Sequence, residues 1–360
     1  MPKKPCLHWS SFWFTTSVVV VAIGTAHADS VEPSRQLVTI QDEEQLTKGA
    51  FLYEKHCALC HGENGEGYIA DNANALGNQD FLVSVSDEFL WHGIANGRPG
   101  TPMAAHHEKY GGPLTATDIS AVVAFIRNWQ REATVEVSAV SGLGDVTAGQ
   151  RVFDAHCAVC HGKEGEGVSA VSLNNPEFLS MASGGQIRWA ISKGRRGTPM
   201  VAFEQQLPAG AIDDLVSLIR SWQRDVPTRV ERPLMPEINN VVLNPNGDSP
   251  EFSLRDGRYV SAKQLHAALE SNSRLVLLDA RPASDWHLGH IPGAVSAPHY
   301  DPEAIIERLP SDGTWIVSYC ACPHKYSGEL TDALRKSGFR NTVVLDEGVK
   351  WWQDHGYPME

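Results

Sequence analysis

Two copies of a Cys-x-x-Cys-His sequence lie 100 residues apart in this chain of 360 residues. The thiols and imidazoles that they supply are Cys57, Cys60, His61, Cys157, Cys160 and His161. This is the spacing of covalent c-type haem attachment, in which both thiols add to the haem vinyl groups and the histidine binds the iron. A zinc site or a structural disulfide is the alternative, but the duplication and the glycine after each histidine favour haem. The sequence therefore predicts two covalently bound haem c groups and an electron carrier.

A repeated Gly-x-x-Gly-Thr-Pro-Met sequence offers the second axial ligand of each iron. It ends at Met103 and, 97 residues later, at Met200. The proline before each methionine fixes φ and should stiffen the loop that presents the soft thioether sulfur. His/Met ligation raises the reduction potential and leaves no free iron position, so these haems should shuttle electrons instead of binding oxygen. His92, His106 and His107 compete in the first copy, but they lack histidine counterparts in the second and are predicted to lie at the surface.

Helices must position these motifs, and the repetition predicts them. The residues around Gly49, upstream of the first motif, recur around Gly149, and a final helix recurs at an offset of 93. Apolar residues in that helix follow i, i+3, i+4, i+7, i+10, which predicts one buried face. They are Ile119, Val122, Val123, Ile126 and Trp129 in the first copy and Ile212, Leu215, Val216, Ile219 and Trp222 in the second. Each glycine would allow the first and last helices to cross closely.

These features together resemble class I c-type cytochromes in tandem, over residues 42–132 and 143–225. The resemblance implies two all-α domains whose outer helices cross while the haem fills the middle. The next segment, 226–252, is rich in proline and asparagine and reads as an extended linker with turns. Beyond it, apolar runs at 275–279, 315–319 and 341–345 alternate with a helical pattern near 329–336, which predicts a parallel sheet covered by helices.

Residues 253–360 resemble the rhodanese family. The sequence LDARPASDWHLGHIPGA at 278–294 is similar to the first signature of that family, and EGVKWWQDHGYP at 347–358 is similar to the second. The resemblance implies a nucleophilic cysteine at the end of a buried strand, which Cys320 matches. Loop N–H groups and the dipole of the following helix would stabilise its thiolate or persulfide, with small sulfur compounds as substrates. The expected fold class is thus multidomain, with two all-α cytochrome c domains followed by an α/β rhodanese-like domain.

The loop after Cys320 departs from the family pattern, since it is one residue longer than the usual sulfurtransferase loop. Arsenate reductases and phosphatases of this fold use longer loops but need an arginine where this chain has Tyr326, which disfavours phosphatase chemistry. His324 and Lys325 could attract thiosulfate or lower the thiol pKa. Cys322 is a resolving thiol, a second persulfide carrier or the true nucleophile; a Cys-x-Cys-x-His metal site has too few ligands to be favoured.

The N-terminus predicts export from the cytoplasm. Lys3 and Lys4 precede an apolar run over residues 12–26, and the small residues Ala26 and Ala28 mark a cleavage site. We expect residues 1–28 to be a signal peptide and the mature protein to be periplasmic, without a transmembrane segment; an uncleaved anchor is the alternative. The formal charge of −13 disfavours nucleic-acid binding and suits docking to basic patches of other redox proteins, as electron donors or acceptors.

Two functions remain open on sequence alone. In the first, Cys320 binds sulfane sulfur or undergoes thiol chemistry, and the haems remove the electrons. In the second, the chain is a dihaem electron carrier whose rhodanese-like domain is an inert docking or sulfur-carrying module, because a fold does not guarantee an activity. Reduction of the haems by sulfide or thiosulfate alone separates the two.

Overall fold

The computed structural model describes residues 40–68, 72–137, 144–226, 228–321 and 324–360. The predicted signal peptide, residues 1–28, lies outside these ranges. Within them, no helix combines the length and the apolar character needed to cross a bilayer.

The first cytochrome-like region is helical. Its helices are Ile40–His56 (α1), Ala58–His61 (α2), Gln79–Leu82 (α3), Asp87–Asn96 (α4) and Ala116–Arg127 (α5). Thr115 caps α5 in a reciprocal arrangement with Asp118. Helix α1 crosses α5 at Gly49, where an added Cβ would overlap the backbone carbonyl of Ala121. The close crossing predicted from Gly49 is therefore confirmed.

The second region repeats this arrangement. Its helices are Val146–His156 (α6), Ala158–His161 (α7), Pro176–Met181 (α8), Gly184–Lys193 (α9) and Ala211–Ser221 (α10). Gly149 lies against the carbonyl of Asp214 as α6 crosses α10. The predicted apolar face of the last helix is buried in both copies, except that Ile212, Trp129 and Trp222 are only partly buried at its edges.

The two helical regions meet through reciprocal contacts. The Asn78 side-chain oxygen caps α3, and its Nδ2 donates to the Arg196 carbonyl (2.8 Å). Asn175 occupies the equivalent position, caps α8 and donates to the Pro99 carbonyl (2.8 Å). Because each asparagine binds the loop that carries the other copy's methionine, the duplication produces a near-symmetric interface.

The C-terminal region is an α/β layer structure. Its strands are Tyr259–Val260 (β1), Leu275–Asp279 (β2), Val295–Ser296 (β3), Trp315–Tyr319 (β4) and Thr342–Leu345 (β5). Its helices are Ala262–Glu270 (α11), Ala283–Trp286 (α12), Glu303–Ile306 (α13), Lys325–Lys336 (α14) and Gly348–Asp354 (α15). Among the described residues, the strands pair in parallel in the order β1-β5-β4-β2-β3, with apolar clusters on both faces. The predicted parallel sheet is confirmed.

The described part of 226–252 holds neither a helix nor a regular strand. It binds the flanking regions at two isolated bridges. The Arg232 amide donates to the Lys109 carbonyl (3.1 Å), and Leu243 exchanges backbone bonds with Leu275 at 2.8 and 3.3 Å. Arg229 also forms an ion pair with Glu177 (3.1 Å). This segment therefore contacts both the helical regions and the C-terminal region.

Candidate functional site

The first Cys-x-x-Cys-His motif lies where α1 ends. The Cys57 amide donates to the Tyr53 carbonyl (2.8 Å), and the Cys60 and His61 amides donate to the Cys57 carbonyl (3.1 and 2.9 Å). These bonds wind the motif into one helical turn, which brings residues three apart onto one side. Gly62 then adopts φ of 84° and ends the turn. The second motif repeats the bonds at the same three distances.

Both motif histidines have one ring nitrogen engaged by the backbone. His61 Nδ1 lies 2.8 Å from the Asn74 carbonyl, and His161 Nδ1 lies 2.9 Å from the Val171 carbonyl. A carbonyl only accepts, so each Nδ1 carries the hydrogen and each Nε2 keeps its lone pair. Burial lowers the pKa of both imidazoles, which favours the neutral form. This is the usual state of a metal-binding histidine.

The two methionine loops also have the same internal bonds. The Met103 carbonyl accepts from the Arg98 amide (2.7 Å), and its amide donates to Thr101 Oγ1 (3.2 Å). The Met200 loop makes the equivalent bonds at 2.8 and 3.2 Å. Each copy thus offers two thiols on one turn, an imidazole Nε2 and a thioether on a braced loop. That donor set is chemically suited to a c-type haem with His/Met ligation.

One histidine of the first copy is placed differently from its prediction. His106 was expected at the surface, but it is 4% exposed. Its Nδ1 donates to the Ala104 carbonyl (3.0 Å), and burial lowers its pKa to about 4, with a smaller contribution from nearby His61. The surface prediction is wrong for His106 because the chain after Met103 turns inward. His92 and His107 are half-buried and contact Trp91.

The thiol of Cys320 lies directly after β4 and is buried, with 1% of the residue exposed. Its Sγ is 3.3 Å from Ser327 Oγ in α14, and its carbonyl accepts from the Val349 amide (2.9 Å). This is the position expected for the rhodanese nucleophile, between a strand end and the N-terminus of a helix. Cys322 lies outside the described residues, so its role stays a prediction.

The imidazole of His324 is engaged in contacts inside the protein. It has φ of 81° at the N-terminus of α14, and its Nε2 lies 3.0 Å from both the carbonyl and Oδ1 of Asp346. Its ring also contacts Tyr259, with 4.2 Å between ring centroids. The imidazole that was expected to attract an anion is therefore engaged with a carboxylate on the loop after β5.

Tyr326 brings the two predicted sites together. It is 6% exposed, and its Oη lies 3.7 Å from Cys60 Sγ. Leu59 and Cys60 pack against the apolar cluster that contains Cys320 and Tyr326. The residue that stands in place of a phosphatase arginine therefore contacts the first haem-attachment motif.

Further rings surround this contact. His299 stacks on Tyr326 with centroids 4.0 Å apart and planes at 8°, and Tyr300 lies edge-on to His56 at 4.7 Å. Burial lowers the pKa of His56 to about 3 and that of His299 to about 4. Among the described residues, neither His56 Nδ1 nor His299 Nδ1 has a hydrogen-bond partner. Sequence reasoning missed this cluster because no local motif connects residues so distant in the chain.

Comparisons with known proteins divide the chain in the same way. Family models match at residues 46–130 (cytochrome c), 144–219 (cytochrome c oxidase, cbb3-type, subunit III) and 261–355 (rhodanese-like domain). The cbb3-type cytochrome c oxidase subunit CcoP of an Azospirillum species is 24% identical over 56% of this chain and 69% of its own. Arsenate reductase 2.1 of Oryza sativa is 29% identical over 29% of this chain and 72% of its own. A solved chain of the reducing HAO-like protein complex of Kuenenia stuttgartiensis is 22% identical, with 49% of this chain and 96% of that one covered and a TM-score of 0.34.

Proposed function

The chain joins cytochrome c domains, which carry covalently bound haem c, to a C-terminal rhodanese-like domain, and from this premise we propose that it couples sulfur or thiol chemistry at Cys320 to electron transfer. Electron transfer is the common activity of the cytochrome domains. The coupling to a thiol is what this combination of domains adds.

Two haems are proposed, one for each attachment motif. Cys57 and Cys60 hold the first, with His61 and Met103 as axial ligands. The second has the equivalent ligands Cys157, Cys160, His161 and Met200. When bound, each haem supplies a one-electron acceptor of raised potential. The protein provides the neutral imidazoles, the methionine loops held by internal hydrogen bonds, and the helical turns that end at glycine, all described above.

Cys320 is proposed as the thiol that takes up sulfur. In the balanced step, the Cys320 thiolate and hydrosulfide form one S–S bond, and the persulfide anion, one proton and two electrons are the products. The partial positive charge at the N-terminus of the twelve-residue helix α14 favours the anionic sulfur species on both sides of this step. Haems held by the two Cys-x-x-Cys-His motifs would take up these two electrons, one each, which would account for a duplicated cytochrome in the same chain.

The observation that carries the coupling is the contact between the two sites. Ser327 Oγ lies 3.3 Å from Cys320 Sγ, and the preceding residue, Tyr326, lies 3.7 Å from Cys60 Sγ. Two adjacent residues of α14 thus contact the two sulfur atoms of interest. Ser327 contacts the sulfur of Cys320, and Tyr326 contacts the sulfur of Cys60, which would be bonded to haem. Such proximity supports direct electron transfer inside the chain.

The burial of Cys320 favours a second candidate. Because only 1% of the residue is exposed, and Leu59 and Cys60 cover its cluster, the rhodanese-like domain could be a catalytically inert module. In that function it shields the first haem-attachment motif or docks a partner, and the chain is an electron carrier only.

We also propose a periplasmic location, with residues 1–28 as the signal peptide. The partners would be other redox proteins that donate or accept electrons, and the acidic charge of −13 would favour basic docking surfaces. Small sulfur compounds, with sulfide and thiosulfate first, are the proposed substrates.

An anaerobic experiment with the haem-loaded protein tests the coupling. Oxidised wild type and Cys320→Ser are mixed with sulfide, and the reduced-haem absorbance is followed together with the mass of the Cys320 peptide. In the wild type, up to two haems per chain should be reduced and Cys320 should gain one sulfur atom. In Cys320→Ser, reduction of the haems should be slow. Equal rates and no added sulfur would favour the inert module, and Cys322→Ser shows whether the neighbouring thiol substitutes.

A further inference from the structure

The two haem-attachment motifs differ in what covers them. In the first copy, Cys60 Sγ lies 3.7 Å from Tyr326 Oη, a residue 266 positions away in the rhodanese-like domain. Leu59, between the two cysteines of this motif, packs against the cluster that contains Cys320. Its counterpart in the second copy, Val159, is 79% exposed. Within the part of the chain that the structure describes, this internal contact therefore lies at the first copy of the duplicated motif.

The direction of the hydrogen bond at this contact follows from the chemistry of Cys60. As a thiol, Cys60 donates to Tyr326 Oη. Once the sulfur is a thioether to haem, it has no hydrogen and can only accept. The Tyr326 hydroxyl is then the donor, and it withdraws electron density from the haem substituent. Hydrogen bonds near a haem are among the means by which a protein sets its potential.

Tyr326 is held firmly enough to make this contact specific. The residue is 6% exposed, and its ring stacks on His299 with 4.0 Å between ring centroids and nearly parallel planes. The next residue, Ser327, is fully buried and lies against Cys320 Sγ. The sulfur atoms of Cys320 and Cys60 are therefore contacted by adjacent residues of α14.

We propose that Tyr326 makes the first cytochrome domain the sole receiver of electrons from Cys320, through a hydrogen bond from its hydroxyl to the Cys60 sulfur. The source of those electrons rests on the proposed function, whereas the hydrogen bond does not. The two electrons released with each persulfide leave Cys320 one at a time through this contact. The first cytochrome domain passes one to the second domain and so can receive the next.

The test of the hydrogen bond is the reduction potential of each haem in Tyr326→Phe. Removal of the donor should lower the potential of the first haem and leave the second unchanged, so the second haem is an internal control. A net hydrogen bond of about 1 kcal/mol limits the change in the reduction equilibrium to about fivefold. Tyr357→Phe, in the same domain and stacked on His266, is the matched control and should move neither potential. Equal potentials in Tyr326→Phe and wild type, with an unchanged melting temperature, would overturn the inference.

The test of the electron route uses Met200→His, which lowers the potential of the second haem so that the first can be followed separately. In this background, sulfide should still reduce the first haem rapidly, and adding Tyr326→Phe should slow that reduction but not reduction by dithionite. If Tyr326→Phe leaves the rate of reduction by sulfide unchanged in this background, the inference is wrong. If sulfide reduces neither haem while the potential shift is present, the proposed function fails and the hydrogen bond stands.

Discussion

The two cytochrome domains are alike where they would hold haem and unlike where they face the rest of the chain. The turns around His61 and His161 are built by the same backbone bonds, and both methionine loops are closed in the same way. In contrast, Ala104 after the first loop is 3% exposed and Val201 after the second is 51% exposed. Duplication has kept the interior and changed the surface on which the third domain lies.

The charged contacts between the copies differ in the same manner. Asp80 in the first copy binds Arg196 of the second (2.9 Å). The position equivalent to Asp80 is Glu177, but the residue equivalent to Arg196 is Pro99, which carries no charge. The missing cation is supplied by Arg229 from the linker (3.1 Å). The linker therefore supplies the ion-pair partner of Glu177 that Pro99 cannot provide, and this contact fixes the linker against the helical domains.

The largest expected effect is on haem content. Replacing Cys57 and Cys60 by serine, or Cys157 and Cys160, should each remove one of two covalent haems, as measured by intact mass after denaturation. The two variants should then differ, because Leu59 and Cys60 of the first motif contact the rhodanese-like domain, whereas Val159 of the second is 79% exposed. Sulfide should reduce the haem that remains when the second motif is lost, and should not when the first is lost. A wild-type protein with one covalent haem would contradict the symmetric assignment.

A smaller effect should separate Leu59 from Val159. Leu59→Asp places a charge against the apolar cluster around Cys320 and should lower the free energy of unfolding by about 2 kcal/mol. Val159→Asp is the matched change at an exposed position and should stay within about 0.5 kcal/mol of wild type. Chemical denaturation of both variants measures the difference. Equal losses would show that the first motif is not covered by the rhodanese-like domain.

The smallest effect is a pH dependence at Asp80. Burial raises the pKa of this carboxyl, but hydrogen bonds and charge from Arg196 outweigh burial and lower it below its ordinary 3.8. A lowered pKa in the folded state stabilises the protein above the unfolded-state pKa, and the contribution is lost as pH falls through the folded-state value. Asp80→Asn and Arg196→Gln should therefore both weaken the acid-induced loss of stability, measured by thermal melting from neutral to acidic pH. Wild-type behaviour in both variants would show that the pair contributes nothing.

Local motifs and periodicity were enough to predict the elements that hold each functional group. The Cys-x-x-Cys-His turns, the Gly49 and Gly149 crossings and the strand before Cys320 depend on neighbouring residues, and the chain folds as they indicate. The contact between Tyr326 and Cys60 depends on how complete domains pack, which no spacing records. The surface prediction for His106 was wrong for a similar reason, because the burial of this residue follows from the inward path of the chain after Met103.

The most direct test of the coupling between Cys320 and the haems is a stoichiometry. Oxidised wild-type protein is titrated anaerobically with sulfide, and sulfur bound to Cys320 and reduced haem are measured in the same samples. The account predicts two haems reduced for each sulfur atom gained on Cys320, and in Cys320→Ser no added sulfur at this position and only slow haem reduction. Haem reduction without added sulfur, or added sulfur with the haems still oxidised, would contradict it.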